Sequence, residues 1–318
     1  AEKGGVAFDS SLAGTEYFPA WQEADWAKGD VIEVIKLALA MENLSLAEQF
    51  ARHLAEGLDR GGLGQLGNMA IDLGAPHLAV MLGKDAAQRE ITLPAAYYPL
   101  HPMAEMDLPV AKELALAIAR RESEFDPYVA SGAGALGLMQ VMPGTASDVA
   151  RELGIDHEAG RVRTDWPYNA KLGSAYLAGL AERFDGNIVM IAAGYNAGPG
   201  RPINWMKEYG DPRDGAIDVV DWIEHIPFRE TRNYVMRVTE SIPVYRARLT
   251  GQTGPIEFTA LLIGDKPLVR PQTRPAPEPV VSTSDAPAAS DAPAIAAPAA
   301  IPRPSATPGI RPISRPGG

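Results

Sequence analysis

At 318 residues the chain has room for two modest domains or one large one, and 46% hydrophobic against 22% charged residues is the balance of a soluble globular protein. A formal net charge of -11 with no long basic run excludes nucleic acid as the main partner, since a phosphate-tracking surface needs a clustered Lys/Arg excess. The absence of cysteine removes disulfides, thiolate metal sites and cysteine nucleophiles together. The five histidines (His53, His77, His101, His157, His225) are scattered without metal-ligand spacing, so no cofactor or metal is expected. No apolar run reaches the roughly 18 residues of a transmembrane segment. The chain opens on Ala1-Glu2-Lys3 with no leader pattern, as expected if a leader has been removed or if this is a piece of a longer protein.

From about residue 20 to 85 the pattern predicts short amphipathic helices. Val31, Val34, Ile35 and Ala38 make a helical stripe. Ser45 with Glu48 reads as a capping box for a helix carrying Leu46, Phe50 and Leu54. Gly61-Gly62 is expected to break the pattern. A third segment (Leu66, Met69, Ala70, Leu73) runs to Gly74, and a fourth (Leu78, Val80, Met81) to Gly83. Two helix pairs of about 30 residues each predict a helical-repeat array, with a plain helical subdomain as the alternative. Such arrays usually need about three repeats to bury a continuous core, so further repeats are expected upstream.

Residues from about 100 to 255 hold most of the glycine and aromatic punctuation, without sustained period-2 alternation; a compact, mainly helical domain is expected. A helix is predicted over 108–125. Leu114, Ile118 and Glu122, spaced by four, line one apolar face that Phe125 extends, whereas Glu124 falls near Arg120 and Arg121 on a solvated face. A carboxyl group on an apolar face loses hydration and stays protonated nearer neutral pH, which suits a general acid. The helix alone leaves a second role open for Glu122, a terminal partner of a backbone group or an arginine.

Asp126-Pro127 is expected to stop that helix. The loop Ser131-Gly132-Ala133-Gly134-Ala135-Leu136-Gly137 permits close approach by a ligand but lacks the lysine of a phosphate loop. Gln140 then offers an amide to a hydroxyl or acetamido group, and Met142 a thioether that could equally pack a core. Tyr195-Asn196-Ala197-Gly198-Pro199-Gly200 is expected as a tight turn after an apolar helix, its phenol and amide suited to a polyhydroxylated ligand. Trp222-Ile223-Glu224-His225-Ile226-Pro227-Phe228 and the segment from Glu230 to Tyr234 alternate charge with large apolar groups, as a cleft wall would.

Together, Ala119-Arg120-Arg121-Glu122-Ser123, Gly137-Leu138-Met139-Gln140-Val141-Met142-Pro143-Gly144-Thr145-Ala146, the Tyr195–Gly200 run and Ile226-Pro227-Phe228-Arg229-Glu230-Thr231-Arg232-Asn233-Tyr234-Val235 resemble the catalytic domain of soluble lytic transglycosylases, over about residues 97 to 250. Gly194 stands where that family usually has alanine, and Trp166 where it often has proline. The resemblance implies a mainly α, lysozyme-like catalytic domain preceded by a superhelical arm. It places the acid/base on Glu122 and substrate contacts on Ser131, Gln140, Met142, Tyr195, Asn196, Glu224 and Tyr234. It also implies peptidoglycan glycan strands as substrate, a periplasmic location, and an arm that could engage cell-wall enzyme partners. The cleavage it implies is non-hydrolytic, between N-acetylmuramic acid and N-acetylglucosamine, and leaves a 1,6-anhydro end. A hydrolytic muramidase, for which Glu224 is the nominated second carboxylate, and a non-catalytic glycan-binding scaffold stay open. The expected organisation is an arm at 1–96, the catalytic domain at 97–255 and a Pro/Ala-rich tail at 256–318. That tail changes character from about 265 and is too poor in apolar residues to order.

Overall fold

The computed structural model describes residues 6–255 and 257–264. Among these the chain is mainly helical, and β-structure is limited to three isolated bridges, Ala7 with Pro255, Ala130 with Leu136, and Leu136 with Val141. The expected tail therefore lies outside the described residues from 265 onward. Its beginning does not fit that expectation. Phe258–Ile263 is a helix that buries Leu261 and Leu262 in the main core, because a short apolar run is enough to anchor one and a half turns whatever the composition of the residues after it.

The first four helices are α1 (Asp30–Ala40), α2 (Leu44–Glu56), α3 (Arg60–Asp72) and α4 (Pro76–Gln88). They pack as α1 on α2 and α3 on α4, with α4 also against α2, around a hydrophobic cluster of their own. Details differ from the sequence pattern. In α1 Ile35 and Ala38 are buried as expected but Ile32 joins them in place of Val31 and Val34, and in α2 the buried stripe is Ala47, Ala51 and Ala55 rather than the larger Leu46, Phe50 and Leu54. Alanines let the paired helices approach closely, and the larger side chains cover the seam from its edges. The N-cap of α2 is Asn43, whose Oδ1 accepts from the Leu46 N–H at 3.1 Å, while Glu48 instead binds Arg52. Gly61 and Gly62 lie in the first turn of α3 behind the Asp59 cap, where a helix start tolerates them. Gly83 does not end α4. It sits inside it, where a Cβ would come within 2.6 Å of the Tyr97 backbone, so its role is the close approach of α4 to α5 (Pro94–Tyr97).

The larger core is built by α6 (Lys112–Ser123), α7 (Pro143–Glu152), α8 (Arg161–Thr164), α9 (Trp166–Arg183), α10 (Ile188–Ala197), α11 (Gly200–Tyr209), α12 (Val219–His225), α13 (Arg229–Thr250) and α14 (Phe258–Ile263). The apolar α10 and the α6 stripe both lie against α13. Helix α6 ends two residues earlier than the sequence suggests. Glu124 and Phe125 both take left-handed backbone, φ 52° and 66°, which costs a non-glycine residue and needs outside support. Phe125 supplies it by burying its ring 5.2 Å from that of His101. The reversal frees the chain immediately beyond Glu122 to fold back as the glycine-rich loop. Trp166, at the position where proline is often found, packs edge-on to the same His101 at 4.8 Å.

The two clusters meet through polar contacts as well as apolar ones. His77 Nδ1 lies 2.9 Å from the Glu124 carbonyl, and Lys84 Nζ binds Glu124 Oε1 at 2.6 Å. The partner of Glu124 is therefore a lysine of α4, not Arg120 or Arg121.

Candidate active site

The glycine-rich loop is held from below by one side chain. Asn169 of α9 is fully buried; its Nδ2 donates to the carbonyls of Leu136 (2.8 Å) and Val162 (2.7 Å), and its Oδ1 accepts from the Met139 N–H (2.8 Å). Gly137, at φ 71°, passes so near that a Cβ would meet Val162 O at 2.6 Å. Gln140 adds two donations, to Val129 O (3.1 Å) and Gly137 O (2.9 Å), so both its N–H groups serve the loop and only its amide oxygen is left for a ligand. The Ser131 hydroxyl accepts from the Ala135 N–H at 2.9 Å within the same loop. Met142 is the N-cap position of α7 and half-buried.

Tyr195 and Asn196 occupy the last turn of α10 rather than a free turn, since the helix continues to Ala197 and stops at Gly198 with φ 81°. The Tyr195 hydroxyl donates to the Met139 carbonyl at 2.8 Å, tying α10 to the loop. Asn196 is buried; its Oδ1 accepts from Thr231 Oγ1 at 2.7 Å, which leaves its amide N–H groups as donors. Gly194 faces Phe184, and a Cβ there would lie 3.0 Å from the ring.

The carboxyl of Glu122 stands over this arrangement. The buried Tyr234 of α13 donates from its hydroxyl to Glu122 Oε1 at 2.6 Å. The residue keeps a partly open edge, yet protein encloses its carboxyl group. Burial pushes that carboxyl up to about 7, against the opposing effects of the Tyr234 hydrogen bond and the Arg121 charge; the charge of Glu230 adds to the rise. Burial and the neighbouring Glu122 charge likewise push the Tyr195 and Tyr234 phenols well up, so both are hydrogen-bond donors at any ordinary pH.

Of the residues expected from the sequence, Glu122 and Tyr234 are in direct contact, and Tyr195, Asn196, Gln140 and Ser131 belong to the elements around them. Glu224 stands apart. It is exposed, and both its carbonyl and its carboxylate face Arg232. The carboxylate whose charge reaches Glu122 is Glu230, which the sequence does not single out. Helical spacing held the signal: Glu230 precedes Tyr234 by four residues and shares its face. Asn169 is equally inconspicuous in the sequence, being one polar residue in an otherwise apolar stretch of helix.

This geometry has a direct consequence for pH dependence. Were Glu122 to serve as a general acid it would act while protonated, and kcat/KM would fall as pH rises through about 7. The Tyr234 bond favours the charged form. Tyr234→Phe should therefore move that descending limb upward by about one pH unit, as the loss of one hydrogen bond implies. A limb that stayed in place or moved down in a pH–rate series would show that Tyr234 does not act on Glu122.

Residues 102–217 match the family model described as the Transglycosylase SLT domain. The chain is 37% identical over 169 residues to the soluble lytic murein transglycosylase of Salmonella typhimurium, covering 53% of this chain and 26% of that protein. It thus spans about a quarter of that relative's length. Among solved structures, it superposes on the 70 kDa soluble lytic transglycosylase of Escherichia coli with TM-score 0.64 and 28% identity, covering 74% of this chain and 38% of that one. An inactive glutamate-to-glutamine mutant of a lytic transglycosylase from Pseudomonas aeruginosa matches with TM-score 0.57 and 26% identity, over 83% and 39% of the two chains.

Proposed function

We propose that this chain cleaves peptidoglycan glycan strands in the periplasm as a lytic transglycosylase, with Glu122 as its single acid/base. The observation that carries this reading is the enclosed carboxyl, held at about 7 and hydrogen-bonded to Tyr234. Protonated Glu122 gives its proton to the oxygen bridging N-acetylmuramic acid and N-acetylglucosamine as the C1–O bond breaks and C1 gains oxocarbenium character. The resulting carboxylate takes the proton of the C6 hydroxyl of the same muramyl residue. The C6 oxygen then bonds to C1 and closes the 1,6-anhydro ring, returning Glu122 to its starting state. No water is consumed.

An intramolecular nucleophile has a high effective concentration, so no second carboxylate has to activate one. The Asn196 amide, whose oxygen is occupied by Thr231, has donors free to fix the acetamido group of the substrate. Ser131 and the Gln140 oxygen are the further groups the proposal assigns to the substrate from the loop. Glutamate-to-glutamine inactivation in the Pseudomonas relative agrees with dependence on one glutamate in that protein.

The charge of Glu230 near Glu122 favours one competing reading, hydrolysis, with Glu230 and not Glu224 guiding a water. Product mass separates them. Digested glycan should end in muramyl residues one water lighter than a reducing end, and predominance of full-mass reducing ends in the mass spectrum would establish hydrolysis instead.

A further inference from the structure

Residues of α4, α5, α6 and α13 line a cavity of about 330 Å³. In a chain of net charge -11, its wall carries four cations (Lys84, Arg120, Arg121 and Arg237) and two carboxylates (Glu124 and Glu240). Both carboxylates are already used: Glu124 holds Lys84 at 2.6 Å, and Glu240 holds Arg237 at 2.8 Å. The surplus falls on Arg120 and Arg121.

Arg120 is fixed in place. Its Nε donates to the Tyr97 carbonyl at 3.0 Å, and its guanidinium lies 4.6 Å and 4.3 Å from the ring centroids of Tyr97 and Tyr98. Its Nη2 is buried and has no hydrogen-bond partner. A charged donor removed from water and left unpaired is costly, and native proteins rarely keep one without a use. The two rings, their centroids 5.1 Å apart, lie to one side of this guanidinium, and a guanidinium is the side-chain group whose fork matches a planar oxyanion. Arg121 is the next residue on the helix, lines the same cavity, and lies 5.7 Å from the centroid of the Tyr234 ring.

We propose that this cavity is an oxyanion subsite that takes a carboxylate against Arg120 and Arg121, and that its occupant acts on Glu122 by screening the charge of Arg121. The reading rests on the function proposed above for Glu122. Two sources share the chemistry, a carboxylate on a peptide attached to the glycan substrate and a small free anion. Arg121 favours the charged form of Glu122, so an anion beside it leaves Glu122 protonated to higher pH. An occupied subsite thus extends the range in which the acid is armed.

The test is calorimetric titration of the full chain with N-acetyl-alanyl-glutamate, its diamide and inorganic phosphate. In parallel, the Glu122 carboxyl is titrated by 13C NMR with and without each probe. The dipeptide should bind and raise the Glu122 midpoint, and the diamide should bind at least tenfold more weakly and leave the midpoint in place. Phosphate matching the dipeptide in both respects supports the subsite with a free anion as its source; weaker phosphate binding assigns it to a peptide carboxylate. Arg120→Met, which keeps an apolar stem against the rings, should weaken dipeptide binding at least tenfold. Should that variant fail to fold, Ser241→Asp, which puts a carboxylate in the cavity wall, should exclude the dipeptide and raise the midpoint by itself. Equal binding of dipeptide and diamide, absence of binding by both anions, or an unmoved midpoint overturns the proposal. Anhydro products formed despite such a result leave the transglycosylase reading standing, and hydrolysed products with binding intact overturn that reading alone.

Discussion

Glu122→Gln is expected to lower turnover of peptidoglycan glycan by at least 10²-fold, within the roughly 10²–10⁴-fold that general acid–base catalysis supplies. Glutamine is nearly isosteric, and its carbonyl can still accept from the Tyr234 hydroxyl, so the neighbouring geometry has no reason to change. What disappears is the proton, and with it protonation of the leaving oxygen and deprotonation of the C6 hydroxyl. The control is two residues away. Glu124 turns out of the helix with φ 52° and pairs with Lys84 on the partly exposed side, so Glu124→Gln should cost little turnover. Initial rates of the three proteins on isolated glycan strands decide the matter. A Glu122→Gln protein of near-normal rate, or a Glu124→Gln protein that is dead, would contradict the assignment.

The same substitution should raise stability, and only above a definite pH. Burial lifts the Glu122 carboxyl from an ordinary 4.5 to about 7 in the folded chain. Below 4.5 the group is neutral in both the folded and unfolded states and contributes no difference. Between 4.5 and 7 the unfolded chain ionises first, so folding becomes progressively less favourable as pH rises. Above 7 the full cost of a buried carboxylate is present, about 3 kcal/mol at most by linkage. Glutamine removes that cost. Glu122→Gln should therefore unfold several degrees higher than the parent at pH 8, given about 2–4 °C per kcal/mol for a chain of this size. At pH 4 the two should coincide. Thermal melts at both pH values provide the check, and a variant no more stable than the parent at pH 8 would mean that folding does not raise the Glu122 carboxyl above its ordinary value. Lost activity together with gained stability is the signature of a group strained for function.

Much of this site is legible in the amino-acid order because its parts lie on helices. The spacing of Leu114, Ile118 and Glu122 places the glutamate on the apolar face of α6, and the paired helices α1 to α4 follow from their apolar periods. What the order conceals is tertiary. The left-handed pair Glu124 and Phe125 is stabilised by burying a ring against His101, a contact from a distant segment that no local propensity encodes. The alanine seam of α2 yields to the larger residues in any hydrophobicity count, although close packing selects the small ones. Asn169 works through three backbone groups, two of them in a loop about 30 residues away, which only the fold brings to it. Glu230 stands inside the Ile226-to-Val235 run without an expected role and Glu224 carries one, yet it is Glu230, four residues before Tyr234 on α13, whose charge reaches Glu122.

Site-specific titration of the Glu122 carboxyl, followed by 13C NMR and assigned by its disappearance in Glu122→Gln, probes the central claim without reference to any substrate. A midpoint close to 7 is the predicted result. A midpoint at the ordinary glutamate value near 4.5 would mean a solvated, already ionised group at neutral pH, unable to supply the proton on which the proposed cleavage depends.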